Sequence, residues 1–391
     1  MRLSKARTAA TIGTLAALLS ACGGNVNLGG KGSQANGAAG AAQTPDESQS
    51  SAGERVLKRS DLTLTELMVV GDYLYLVAFA SADNGIFRCR KSDCQATFEP
   101  FVSGNVAYLQ AFGDRLGFTR SEYSSYAFAS IAFSNAKDEQ LVIRGLPGDP
   151  GLPPLFHDDF VFFSLANDRS LYRCSLPACA DNPERLAGTK GRFNFTPRAD
   201  ADRLIWFEGP FIYRAGGYGT EPAIALLLDD SLSEAPAAVL NADEPGGDRV
   251  SAIDVSNGVL YASIARSPDG QPCDRDCPHE VMAWPVLGGA SQQFLTSEGR
   301  LENLRIFDNE LVWTSPSGKQ SDYDDATVST CRIEACEATR RDLGESRFGI
   351  SVVSADEHDI YWIEAELTTT TPGDPRFQPN QIRRVPRLPA P

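Results

Sequence analysis

The sequence predicts an all-β chain: a β-propeller of four-stranded antiparallel blades, seven by the count of its repeats, with six or eight as alternatives. Three observations carry this. Long helical periodicity is nearly absent, and short apolar and aromatic runs follow polar turns, as in a series of antiparallel strands. A turn-plus-strand element recurs at a period of roughly 50 residues, which points to a propeller and not to a sandwich. All but one of the nine cysteines fall into close pairs, spread over several repeats.

The N-terminus is organised differently from the rest. Arg2, Lys5 and Arg7 precede a short, largely apolar and uncharged run from Thr8 to Ser20. That run is too short to span a bilayer as a helix and has the form of a signal peptide. It ends in Leu19-Ser20-Ala21-Cys22, which resembles the lipobox of bacterial lipoproteins. An ordinary secretory signal with an incidental cysteine is the alternative. The resemblance implies cleavage before Cys22 and acylation of that residue. Each buried methylene then contributes about 0.8 kcal/mol to membrane attachment. Gly23, where an Asp is absent, implies the outer membrane and not retention at the inner one. Residues 23–53 are Gly, Ala, Ser, Gln and Asn with almost nothing to bury, so they read as a tether holding the next domain roughly 30 Å from its anchor. The expected organisation is a signal peptide at 1–21, a lipidated cysteine and tether at 22–54, and the propeller at 55–391.

The formal net charge is −15, and loss of Arg2, Lys5 and Arg7 would leave the chain more acidic still. That argues against nucleic acid or an anionic lipid surface as the main partner, because both would repel it. Asp322, Asp324 and Asp325, or Asp229 and Asp230, form small acidic clusters. Without EF-hand spacing they read as solvated loops before calcium sites.

The repeated element is a small polar or acidic turn followed by strand-forming residues: GDYLYL, GDRLGF, DDFVFF, ADRLIWF, SNGVLYA, DNELVW and EHDIYW. Leu74, Leu116, Phe160, Leu204, Val259, Leu311 and Ile360 align these copies. A second strand follows in several of them, as IFRC, LYRC, IYRA, VMAW and IRRV. In the fifth copy Trp284 falls on Cys174 and Gly289 on Cys179. Val312-Trp313-Thr314-Ser315 and Tyr361-Trp362-Ile363-Glu364 look like YWTD-type propeller repeats, with Ile205-Trp206-Phe207-Glu208 a weaker version. The arrangement is similar to uncharacterised exported bacterial propeller proteins whose third and fourth strands are bracketed by cysteines. The fourth YWTD position is Asp in none of these copies, so no binding surface carries over. The repeated aromatics are expected to pack between blades. Closure is expected from the segment around Val56 to Leu64, as an outer strand beside Ile382.

The paired cysteines are Cys89/Cys94, Cys174/Cys179, Cys273/Cys277 and Cys331/Cys336. An even number in an exported chain reads as disulfides. Zinc is the competing reading, but it needs four ligands close together, and these pairs lie far apart in sequence. Cys273 and Cys277, followed by His279, keep a residual claim to a metal. Such small loops gain only about 2 kcal/mol from closure. The spacing suits cysteines directly opposite one another across a hairpin.

No motif carries chemistry. The three histidines are His157, His279 and His358, and no HExxH, GxSxG, phosphate-loop or Rossmann fingerprint occurs. Ser81-Ala82-Asp83-Asn84-Gly85 begins like a sialidase Asp-box, yet it is also ordinary turn chemistry. No catalytic, metal or cofactor-binding residue is assigned, and no cofactor is expected. The expected function is a monomeric, membrane-anchored binding or scaffold protein that offers a propeller face to a protein or glycan. The alternatives are an envelope hydrolase or lyase with a channel-mouth site, and a structural subunit of an envelope complex.

Overall fold

The computed structural model describes residues 53–80, 84–122, 125–146, 153–164, 171–177, 179, 183–186, 192–193, 198–200, 203–209, 223–227, 237–238, 249–265, 278–285, 290–297, 300–316, 326–346, 349–369 and 375–388. The expectations for Cys22, the Cys273/Cys277 pair and the acidic loops at 229–230 and 322–325 lie outside the described residues.

The first strand, β1 (Glu54–Lys58), stands apart in sequence from its sheet. Blade one follows: β2 (Thr63–Val70), β3 (Tyr73–Phe79), β4 (Gly85–Arg90), a single helical turn α1 (Cys94–Thr97) and β5 (Glu99–Ser103). Blade two is β6 (Val106–Phe112), β7 (Arg115–Glu122), β8 (Ser125–Ala132) and β9 (Glu139–Leu146). Blade three is β10 (Leu155–His157), β11 (Phe160–Ser164), β12 (Leu171–Ser175) and β13 (Glu184–Arg185). Next comes a sheet of five short strands: β14 (Arg192–Phe193), β15 (Arg198–Asp200), β16 (Arg203–Gly209), β17 (Ala223–Leu227) and β18 (Ala237–Ala238). It is followed by a blade of β19 (Arg249–Ser256), β20 (Val259–Ala265), β21 (His279–Pro285) and β22 (Gln292–Ser297). Another comprises β23 (Glu302–Phe307), β24 (Glu310–Pro316), β25 (Ala326–Arg332), the turn α2 (Cys336–Thr339) and β26 (Arg341–Ser346). The last sheet is β27 (Ile350–Ala355), β28 (Asp359–Thr369) and β29 (Pro375–Pro386), completed by β1.

Among the described residues the fold is therefore an all-β propeller with six four-stranded antiparallel blades and one five-stranded sheet in series. The first strand of each sheet is innermost, with β15 in that place in the five-stranded sheet. In order, β2, β6, β10, β15, β19, β23 and β27 each lie against the next, and β27 lies against β2. Closure is as expected: β1 pairs antiparallel with β29, with Leu57 opposite Ile382.

The repeat becomes regular once read on the strands, and it corrects the alignment by one residue in two copies. The second residue of each second strand is Leu74, Leu116, Val161, Leu204, Leu260, Leu311 or Ile360, and every one is fully buried at 0% exposure. Phe160 and Val259 are only half-buried; they open their strands and point to the opposite face, since side chains alternate. The turn before these strands needs residues tolerant of the left-handed region. Gly71, Gly113, Asp158, Asn257 and Asp308 have φ of 53°, 53°, 48°, 52° and 54°. Gly, Asn and Asp are the residues that enter that region at least cost.

The core lies between blades. Tyr75 and Phe101 of blade one pack with Leu116 and Phe118 of blade two, and Val312 and Val328 pack with Ile360 and Trp362. Trp313, Tyr361 and Trp362 are wholly buried, as expected of packing residues.

Three cysteine pairs are disulfides: Cys89–Cys94, Cys174–Cys179 and Cys331–Cys336. Their placement corrects the hairpin picture. Cys89 lies opposite Leu74 of β3, and Cys331 opposite Leu311 of β24, so neither faces its partner across a ladder. Cys94 and Cys336 instead open the helical turns α1 and α2. Each turn folds back against the outermost strand of the preceding sheet, α1 on β1 and α2 on β22. Cys89 and Cys94 are buried with Leu57 and Tyr361 of the last sheet, and Cys331 and Cys336 with Tyr261 and Leu295. Trp284, opposite Leu260 as Cys174 is opposite Val161, fills the equivalent place in the fifth copy.

Candidate binding site

The turns between first and second strands gather on one face, together with the disulfide-bearing connections. On this face, between blades two and three, lies a cleft of about 880 Å³. Its floor is apolar: the rings of Phe112 and Phe156 stack with centroids 4.8 Å apart and planes within 9°, and Leu176 and Pro177 form one wall.

Two polar side chains hold the cleft open. Gln110 donates through Nε2 to the Phe156 carbonyl and accepts from the Phe156 amide, both at 2.7 Å. Because both bonds go to backbone, they fix β10 against β6 whatever side chain sits at position 156. Arg115 is fully engaged: it donates to Asp138 Oδ2 at 2.7 Å, to Ser130 Oγ at 3.0 Å, and to the Ser130 and Asp138 carbonyls. That guanidinium holds the Asp138 carboxyl below its ordinary range. Arg115 is thus paired with Asp138, while Asp114, Asp158 and Asp159 line the rim. Asp158 is 80% exposed and lies 3.5 Å from His157 Nε2. The site joins an apolar floor to an acidic rim. It suits a ligand with one apolar face and hydroxyl or cationic groups at its edge.

A second polar region lines the axis, where side chains of one innermost strand reach the next. Glu66 accepts from the amides of Tyr108 and Leu109 at 2.5 and 2.6 Å. Burial raises its pKa, against the pull of those two amides. Asp254 of β19 accepts from its neighbour's amide, Val255, at 3.0 Å and from Ile306 of β23 at 2.8 Å. Its Oδ1 also lies 3.3 Å from Arg198 Nε on β15. The Arg198 guanidinium is pulled down to about 10, first by burial and then by repulsion from Arg305, with Asp254 opposing both.

The predicted residues scatter. His157 joins the cleft, whereas His358 is an exposed turn residue beside Glu357. His279 is buried, its Nδ1 3.1 Å from Ser263 Oγ. Among the described residues, no group of three or more His, Cys, Asp or Glu is placed to hold a metal ion. The sequence reading missed Gln110, Arg115 and Phe156. The acidic turns of GDRLGF and DDFVFF gave no hint, because most other copies carry them as well.

No family model matches the chain, and no curated protein matches it. Among solved structures, the oligogalacturonate lyase of Vibrio parahaemolyticus is similar, with a TM-score of 0.56 and 8% identity over 84% of this chain and 92% of its own. An uncharacterized protein of Listeria monocytogenes EGD-e has a TM-score of 0.51 at 9% identity, over 80% of this chain and 94% of that one. A prolyl endopeptidase has a TM-score of 0.49 at 14% identity, and this chain spans 47% of its length. At these identities the likeness is one of fold.

Proposed function

We propose that the chain is a binding protein of the bacterial envelope, anchored through a lipidated Cys22 and a flexible tether, that holds a protein or glycan segment in the cleft between blades two and three. One observation carries this reading: the cleft is preformed. Gln110 and Arg115 have spent their hydrogen bonds on shaping it, so the acidic rim and the partly exposed Phe112, backed by the buried Phe156 ring, remain for a ligand. A preorganised site binds without paying to order its own side chains. The rim favours a hydroxyl-rich glycan or a basic peptide segment over an anionic one.

In this reading the propeller has seven blades, the five-stranded sheet serving as the fourth. The support is that β15 lies against β10 on one side and β19 on the other, as a blade's innermost strand does. Capture from envelope extract by the domain from residue 54 onwards tests the function. Ligand retained by the wild type should be lost when Asp114→Lys and Asp159→Lys are combined, since both reverse rim charge. Equal capture by the variant would remove the cleft from consideration. For the anchor, Cys22→Ser should leave the protein unlabelled by a fatty-acid probe and free of the membrane fraction.

A further inference from the structure

We propose that the axial wall formed by β15, β19 and β23 is an anion site, in which Arg198 and Arg305 grip a small oxyanion, a carboxylate or a phosphate. The argument begins with charge. Arg198 of β15 lies beside Asp254 of β19, and Arg305, on the innermost strand at the other side of β19, is near enough to repel Arg198. The Asp254 carboxylate is already committed: its Oδ2 accepts from Ile306 and its Oδ1 from Val255. Arg198 reaches Oδ1 from 3.3 Å, too poorly aligned to hydrogen-bond, and its buried Nε has no hydrogen-bond partner among the described residues. Buried donors are normally satisfied, and one left open asks for a group that is not in the chain. Arg305 likewise has neither an ion pair nor a hydrogen bond from its side chain among the described residues, although the next residue donates to Asp254.

The surroundings are consistent with a ligand and not with an internal bridge. The Arg198 and Asp254 side chains keep 20% and 12% exposure, although Arg198 Nε itself is buried. Burial first, and then repulsion from Arg305, lower the Arg198 pKa, and an oxyanion between the two arginines would relieve the repulsion. The chain as a whole carries −15, which opposes long anionic polymers at a distance. That field is screened beyond about 8 Å at physiological ionic strength, whereas paired guanidinium groups act at contact with charge-assisted bonds. The site therefore selects small anions, or one anionic group of a larger neutral ligand. It is separate from the cleft between blades two and three, and each is testable without the other.

The test is calorimetric titration of the lipid-free protein with succinate and with inorganic phosphate, using sodium chloride at matched ionic strength as the control. One or both anions should bind, and which one does so separates the carboxylate from the phosphate source. Arg305→Gln should weaken that binding by about tenfold or more, the worth of a hydrogen bond to a charged group. Because Arg305 makes no side-chain bond among the described residues and repels Arg198, the melting temperature of Arg305→Gln without anion should not fall below that of the wild type. Asp254→Asn removes the competing carboxylate while keeping an acceptor for Ile306, so it should tighten binding. No binding of either anion beyond the chloride control would overturn the proposal. So would equal affinity in Arg305→Gln, or weaker binding in Asp254→Asn.

Discussion

Asp356 joins the last sheet to blade one with a single side chain. Its Oδ2 accepts from Lys91 Nζ at 2.5 Å, and its Oδ1 accepts from the amides of His358 and Asp359 at 2.7 and 2.8 Å. Burial pushes this carboxyl up, yet Lys91 and the two amides outweigh it and hold the pKa below its usual value. A carboxyl with a depressed folded pKa stabilises the fold above its unfolded value, near 3.9, and loses that contribution as pH falls through the folded one. Melting temperature should therefore drop more steeply below about pH 4 in the wild type than in Asp356→Asn. At neutral pH the variant should be less stable by about 2 kcal/mol, as for a hydrogen bond to a charged group. Parallel acid limbs would show that the bridge contributes nothing. None of this was legible beforehand, because Lys91 and Asp356 are 265 residues apart. The buried repeat position was nearly legible: alternation alone would have moved the alignment from Phe160 to Val161 and from Val259 to Leu260.

The connection between third and fourth strands is the most informative element. Cys89-Arg-Lys-Ser-Asp-Cys94-Gln-Ala-Thr97 and Cys331-Arg-Ile-Glu-Ala-Cys336-Glu-Ala-Thr339 share both the cysteine spacing and a threonine three residues further on. Thr97 Oγ1 accepts from the Arg90 amide at 2.8 Å and donates to the Asp93 carbonyl at 2.6 Å. Thr339 does the same with Arg332 and Ala335, at 2.9 and 2.8 Å. The hydroxyl closes the helical turn from inside while the disulfide ties it to the strand, and the sulfurs fill space against the neighbouring blade. The unit is therefore a helical turn, not a hairpin, because two bonds to one threonine oxygen satisfy backbone groups that a ladder would otherwise pair. Thr339→Val should cost about 1 kcal/mol. Cys331→Ser with Cys336→Ser should cost more than the roughly 2 kcal/mol of loop entropy alone, since it also places hydroxyls in an apolar interface. Denaturant unfolding of the two variants checks both values. A double serine variant as stable as the wild type would mean the bond is ornamental to the blade interface.

At the scale of the whole molecule, the all-β architecture and the closing strand were readable because both rest on local pattern and period. The cleft and the axial arginines were not, because Gln110 and Phe156, or Arg198, Asp254 and Arg305, meet only after blades stack. Closure rests on β1. Leu57 is 1% exposed and Val56 8%, and Glu54 pairs with Arg384 at 2.6 Å. Deleting residues 54–58 removes an outer strand and uncovers the edge of β29. Burial of two aliphatic side chains, about 4 kcal/mol, goes with it, along with a ladder of hydrogen bonds. The melting temperature should fall by more than about 10 °C. The bared edge should promote association, visible as a larger species on size exclusion. An unchanged melting temperature would assign closure to the β27 and β2 contact instead.

The same strand has a mechanical consequence. Any pull on the chain ahead of residue 54 enters the propeller at the β1 end marked by the Glu54–Arg384 pair and runs directly into the β1–β29 ladder. The five residues that close the ring are thus also the first to bear load. Enough force to strip them would open the last sheet while leaving the four strands of every earlier four-stranded blade paired among themselves.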